Sequence, residues 1–111
     1  MRKLSAILLT LSLAVAVPLL AADKGDATAG KAVFAKRCGT CHGPAGEGKE
    51  AIAKALKAEM HPLSSKQVQD KSDDELKKVM TQGSGKMKPV TGMSNKEIAD
   101  VLAFVRSLAK K

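Results

Sequence analysis

Cys38-Gly39-Thr40-Cys41-His42 holds both cysteines of the 111-residue chain and one of its two histidines. The pattern C-x-x-C-H is the attachment signal of a c-type haem. Its chemistry explains its spacing. Two thiols three positions apart can each add across one vinyl group of a porphyrin, and the next residue places an imidazole under the iron. Gly39 and Thr40 are small enough to lie against the ring. Three other chemistries compete for the same residues. A disulfide between Cys38 and Cys41 would close too small a loop to staple a fold by restricting the unfolded chain. A thioredoxin-like redox pair normally follows a strand in a mixed sheet, and no alternating strand pattern is present. A zinc site could draw on Cys38, Cys41, His42 and His61, but the adjacent Cys41 and His42 do not match the usual pair-and-pair spacing. Thiol redox or zinc chemistry stands as the reading should no haem be attached.

The compartment agrees with haem attachment. Met1 to Lys3 is basic and Leu4 to Ala22 carries no charge, being mostly Leu, Ala and Val, the form of a secretory signal peptide. Pro18, Ala21 and Ala22 supply a helix breaker and small residues near a cut, which divides the chain into a signal peptide, 1–22, and a domain, 23–111. The competing reading is an uncleaved anchor, since 19 uncharged residues fall within the range that spans a bilayer. The expected localisation is periplasmic.

The whole chain has 19 Lys and Arg against 11 Asp and Glu, and removing Arg2 and Lys3 with the signal leaves 17 against 11, a net charge of +6 on 89 residues. With two Phe and no Trp or Tyr there is almost no platform for stacking bases, so nucleic acid is not an expected partner. The positive charge reads as steering toward an acidic redox protein, or as simple solvation. A chain of this length excludes a two-domain enzyme.

The domain reads as helices joined by glycine-marked loops, with no internal repeat. After Asp26, a good N-cap, residues Ala27 to about Arg37 place Gly30, Val33, Phe34 and Cys38 on one helical face. Gly39, Gly43, Pro44, Gly46 and Gly48 break the chain, and a weak helical stretch runs from Glu50 to about Ala58. Ser72 and Glu75 form a capping-box pattern opening a helix with inner face Leu76, Val79 and Met80, closed by Gly83. Ser94 and Glu97 repeat the pattern before the last helix, Asn95 to about Leu108, with its stripe of Ile98, Val101, Leu102, Val105 and Leu108. The fold class is therefore all-α. Four short helices around two phenylalanines make a thin core, and small domains need another filler. Haem is the expected filler.

If His42 holds one face of the iron, the other is open to Met60, His61, Met80, Met87, Met93 or nothing. Met80 falls on an apolar helix face and reads as core. Met93 precedes the N-cap Ser94 and reads as a hydrophobic staple. Met87 lies in Gly83-Ser84-Gly85-Lys86-Met87-Lys88-Pro89, a loop too polar and too broken to bury a methionine for packing alone. His61 stays open as an alternative sixth ligand.

These residues together resemble a class I cytochrome c, closest to the small monohaem cytochromes of bacteria. The resemblance runs from Gly25 to Leu108 and rests on Gly30-x-x-x-Phe34, Cys38-Gly-Thr-Cys41-His42-Gly43, Met87-x-Pro89 and the terminal amphipathic helix. It implies an all-helical fold around one covalent haem c, in which the first and last helices cross near Gly30 with Phe34 and Phe104 packed at the crossing. It also implies Met87 as the sulfur ligand and Met93 in the place of a core leucine. Two departures stand out: Lys88 separates Met87 from Pro89, and there is no Gly-Pro-Asn-Leu stretch, which hides the carbonyl that accepts the other N–H of His42.

The function expected is electron carriage by a monomer, with iron cycling between ferrous and ferric and no substrate bond made or broken. Membrane contact would come only through redox complexes or an uncleaved signal. Lys36, Arg37, Lys86 and Lys88 are the expected basic docking rim. The alternative class is a haem enzyme or gas-binding module with an open sixth site.

Overall fold

The computed structural model describes residues 24–109, together with Ser12 upstream. The expected signal peptide and the cut after Ala22 lie outside the described residues. Six helices follow in order: α1 (Ala27–Arg37), α2 (Gly39–His42), α3 (Glu50–Leu56), α4 (Lys66–Gln69), α5 (Asp73–Gln82) and α6 (Asn95–Ser107). Among the described residues there is no strand, only an isolated bridge between Ser84 and Met87. None of the described helices is long and apolar enough to cross a membrane. The all-α expectation holds, with two more helices than the four expected.

The three long helices start where the capping chemistry places them. The Asp26 carboxylate accepts from the N–H groups of Thr28 and Ala29, satisfying two donors that a helix start leaves free. Ser72 and Ser94 each accept from the N–H three residues on, and Glu75 and Glu97 return the bond to the N-cap N–H. α5 then ends at Gly83, whose φ of 78° a side chain would resist. α3 ends two residues before the expected Ala58, because Lys57 turns left-handed at φ 50°.

α1 and α6 form the most extensive contact between helices. Gly30 permits it: a Cβ on Gly30 would lie 1.8 Å from the Asp100 carbonyl oxygen. At the crossing Phe34 and Phe104 pack with ring centroids 5.0 Å apart, a spacing at which tilted rings attract. Phe34, Leu76, Met80, Val101, Leu102, Phe104 and Val105 make the buried core, and Val33, Ile98, Met93 and Leu108 cover its edges. Met93 thus packs on the core as expected.

An acid that reads as a surface residue is buried here. Asp100 is 4% exposed, and its carboxylate accepts from the Asp26 N–H at 2.8 Å and the Lys96 ammonium at 2.7 Å. The Asp26 N–H first, and then the Lys96 bond, hold Asp100 below the usual carboxylate range. Asp26 therefore joins both helices, capping α1 with its side chain and binding α6 through its backbone. A second tie crosses to the other end of α6, where Arg106 donates to the carbonyls of Gln69 and Lys71 and to Asp73. Gln69 in turn donates to the carbonyls of Leu63 and Val105, so α4 is fastened to α6 by polar bonds rather than by a buried face.

Candidate haem site

The attachment motif is wound into one helical turn. The Cys38 N–H donates to Phe34 O at 2.8 Å, ending α1, and Cys38 O accepts the His42 N–H at 3.0 Å. Gly39 was expected to break the chain, yet it begins α2 and its carbonyl accepts the Gly43 N–H at 2.9 Å. Residues three and four apart on a helix share a face. That turn therefore brings Cys38, Cys41 and His42 together without any longer-range device. Gly43, at φ 80°, then releases the chain, and a Cβ there would strike the Glu47 carboxylate at 2.4 Å. Glu47 accepts the Ala45 N–H, and the Gly48 N–H donates to the His42 carbonyl, which fixes the loop behind the motif.

All three motif residues line a cavity of about 700 Å³, within the range of about 300–1,000 Å³ usual for ligand sites. Its walls also include Phe34, Leu56, Leu63, Val68, Leu76, Val79, Met80, Met87, Val101 and Val105, so most of its surface is hydrocarbon. Both thiols are half-buried and unpaired. Burial raises the Cys38 pKa, which Arg37 partly opposes, so this thiol stays protonated. Burial lowers the His42 pKa and keeps the imidazole neutral, the form that binds a metal. His42 Nδ1 is buried with no hydrogen-bond partner. Its ring sits 6.3 Å from that of Phe34, which ties the imidazole to the helix crossing.

The remaining candidates sort by wall. Met93 does not reach the cavity. Met60 and His61 do, and Met60 lies beside Gly48, whose N–H donates to the His42 carbonyl. His61 is also exposed, with Nε2 3.9 Å from the Glu59 carboxylate. Met80 lines the cavity from α5 while buried in the core as expected. Met87 is half-buried and approaches from the loop after α5. That loop is held closed: the Ser84 N–H donates to Met87 O at 3.0 Å, the Met87 N–H to Ser84 O at 2.8 Å, and the Val90 N–H to Met80 O at 2.8 Å. Lys86 and Lys88 stand exposed on the rim with Arg37, whereas Lys36 lies off it. Among the described residues no group of three or more His, Cys, Asp or Glu side chains is arranged to hold a metal ion by itself.

A neutral imidazole and two thiols on one turn, lining a largely hydrocarbon cavity that methionine thioethers also line, fit a covalently attached iron porphyrin. The comparison with known families decides the matter, for the cytochrome c family matches residues 27–109. The chain belongs to the cytochrome c family. A solved c-type cytochrome, KustC0563, shares the fold at a TM-score of 0.62 and 23% identity, covering 73% of this chain and 98% of its own. No curated protein matches the chain. As a cytochrome c it carries haem c, with iron, bound covalently, and it is a haem-binding electron-transfer protein. Its fold is that of the small cytochromes the sequence resembles.

Sequence reasoning missed two supports of this site. Phe34 was placed at the crossing but not against His42, and the polar ties of Arg106 were not seen.

Proposed function

We propose that the protein is an exported, monomeric electron carrier whose haem is anchored by Cys38 and Cys41 and ligated by His42 and Met87. One observation supports the reading: the attachment turn and Met87, on a loop fastened by its own backbone bonds, line the same cavity. When bound, haem c supplies a one-electron couple at its iron. The chain's part is to hold that couple without reorganising. Cys38 and Cys41 fix the ring to a helical turn, and Phe34 fixes the imidazole of His42. The thioether of Met87 favours ferrous iron and raises the potential relative to a second imidazole. The apolar walls exclude water, which favours the less charged reduced state in the same direction. Membership of a family of electron carriers supports reading the protein as a carrier rather than as an enzyme.

Lys86 and Lys88, exposed on the rim beside the ligand loop, supply a positive field where electrons would leave, and a transient acidic redox partner is the match for it. The basic, uncharged and small-residue zones of residues 1–22 support export to the periplasm.

Acid–acetone extraction tests the anchoring. Haem held by Cys38 and Cys41 stays with the polypeptide, and the Cys38→Ser, Cys41→Ser variant carries none. Colour passing into the organic phase from the wild type refutes the attachment.

A further inference from the structure

Arg37 ends α1, immediately precedes the first haem cysteine and is exposed. Its side chain does not simply point at solvent. Nη2 donates a hydrogen bond to the backbone carbonyl of Thr91, 54 residues further along the chain. Thr91 lies where the ligand loop is least fastened. Upstream, Val90 is bonded to Met80, and downstream the capping box of Ser94 and Glu97 takes over. Among the described residues Thr91, Gly92 and Met93 make no backbone–backbone hydrogen bond, so Arg37 supplies a bond that this stretch otherwise lacks. The guanidinium also stands near the start of α6. Glu97 is held below the usual carboxylate range mainly by Ser94, and the charge of Arg37 adds to that effect.

We propose that Arg37 is a positioning residue that latches the Met87 loop to the haem attachment motif. The inference rests on Met87 as sixth ligand. A thioether is an uncharged and weak donor, so the fraction of time it occupies the iron depends on how seldom its loop swings away. Arg37 is covalently next to Cys38, which is fixed to the ring. A bond from Arg37 to Thr91 therefore ties the chain that follows the Met87 loop directly to the segment that would anchor the ring. Opening the loop must break that bond. A hydrogen bond from a charged donor, exposed as this one is, changes such an opening equilibrium by about fivefold.

The test uses the ferric holoprotein titrated with imidazole, which binds the iron only when the native ligand has left, so that its apparent affinity contains the opening equilibrium. Arg37→Gln should bind imidazole about fivefold more tightly than the wild type. Arg37→Lys, whose ammonium can still donate to the carbonyl, should fall between. Lys36→Gln removes the same charge one residue away, off the cavity rim, and should match the wild type. Equal shifts for Arg37→Gln and Lys36→Gln overturn the latch in favour of net charge. An unchanged imidazole affinity beside a lowered melting temperature overturns it in favour of a purely structural role. The sulfur-to-iron charge-transfer band separates the two levels of the argument. If Met87→Ala keeps the band, both the ligand assignment and the latch fall. If Met87→Ala loses it and Arg37→Gln leaves imidazole binding unchanged, only the latch falls.

Discussion

The helix crossing, whose Phe34 and Val101 also line the cavity, and the α3–α4 side of the domain are built on opposite principles. At the crossing, protein fits protein: Phe34 is 2% exposed and Val101 1%, the two phenylalanine rings touch, and a buried carboxylate is fully bonded. Around the cavity, α3 and α4 contain no buried residue at all, and Leu56 is exposed at its edge. One half of the domain is complete in its own side chains and the other is shaped to a guest. A fold of this size can leave its centre to a cofactor provided one rigid corner positions the groups that receive it.

The strongest way to break this contrast is to withhold the haem. The Cys38→Ser, Cys41→Ser protein should show no cooperative helical melt by circular dichroism, losing all of the roughly 5–15 kcal/mol typical of a folded domain, as expected when binding and folding are coupled. A cooperative melt in that variant would show that the crossing suffices alone. Next in size is damage to the crossing itself. Gly30→Ala sets a Cβ against the Asp100 carbonyl and should cost the holoprotein about 3 kcal/mol in denaturant unfolding, the upper part of the overpacking range. A value near zero would mean that the helices can slide apart without loss.

A smaller effect sharpens the same corner. Asp100 has a depressed pKa in the folded protein, so its stabilisation is fully present above the unfolded carboxylate value of about 3.9 and is lost as the pH falls through the lower folded value. Asp100→Asn should therefore lower Tm at neutral pH, and the gap to wild type should close in strong acid. A gap independent of pH would show that the charge contributes nothing. The smallest effect concerns the rim. Transfer rates with an acidic partner should fall as salt shortens the Debye length from about 10 Å at 0.1 M to about 3 Å at 1 M. Lys86→Glu or Lys88→Glu should slow transfer more than Lys31→Glu, which lies off the cavity. Equal slowing at all three would mean that net charge alone matters.

The parts legible in advance are those where two local signals coincide. α1, α5 and α6 each join a capping residue to an apolar face, and all three begin where those residues stand. The attachment motif was legible because its chemistry is written in five consecutive residues. α4 was not, since Ser65 makes no side-chain cap and the helix has four residues, held by Gln69 and Arg106 through partners as far as 37 positions away. α2 was hidden by reading Gly39 as a breaker when its carbonyl closes the turn. Asp100 beside Lys96 has the spacing of an ordinary surface pair, and only the close approach at Gly30 buries it. Among the methionines, the polar loop singled out Met87 and the capping pattern removed Met93, but that Met60 lies beside Gly48 behind the attachment motif is a contact no local pattern announces.

The proposal that joins the two halves is ligation of the iron by His42 and Met87, and the ferric absorption spectrum tests it most directly. The wild type should show a sulfur-to-iron charge-transfer band, and its ferrous form should ignore carbon monoxide. Met87→Ala should lose the band and bind carbon monoxide, while Met93→Leu should do neither, since Met93 packs on the core outside the cavity. A band that survives Met87→Ala, or vanishes in Met93→Leu, would contradict the account.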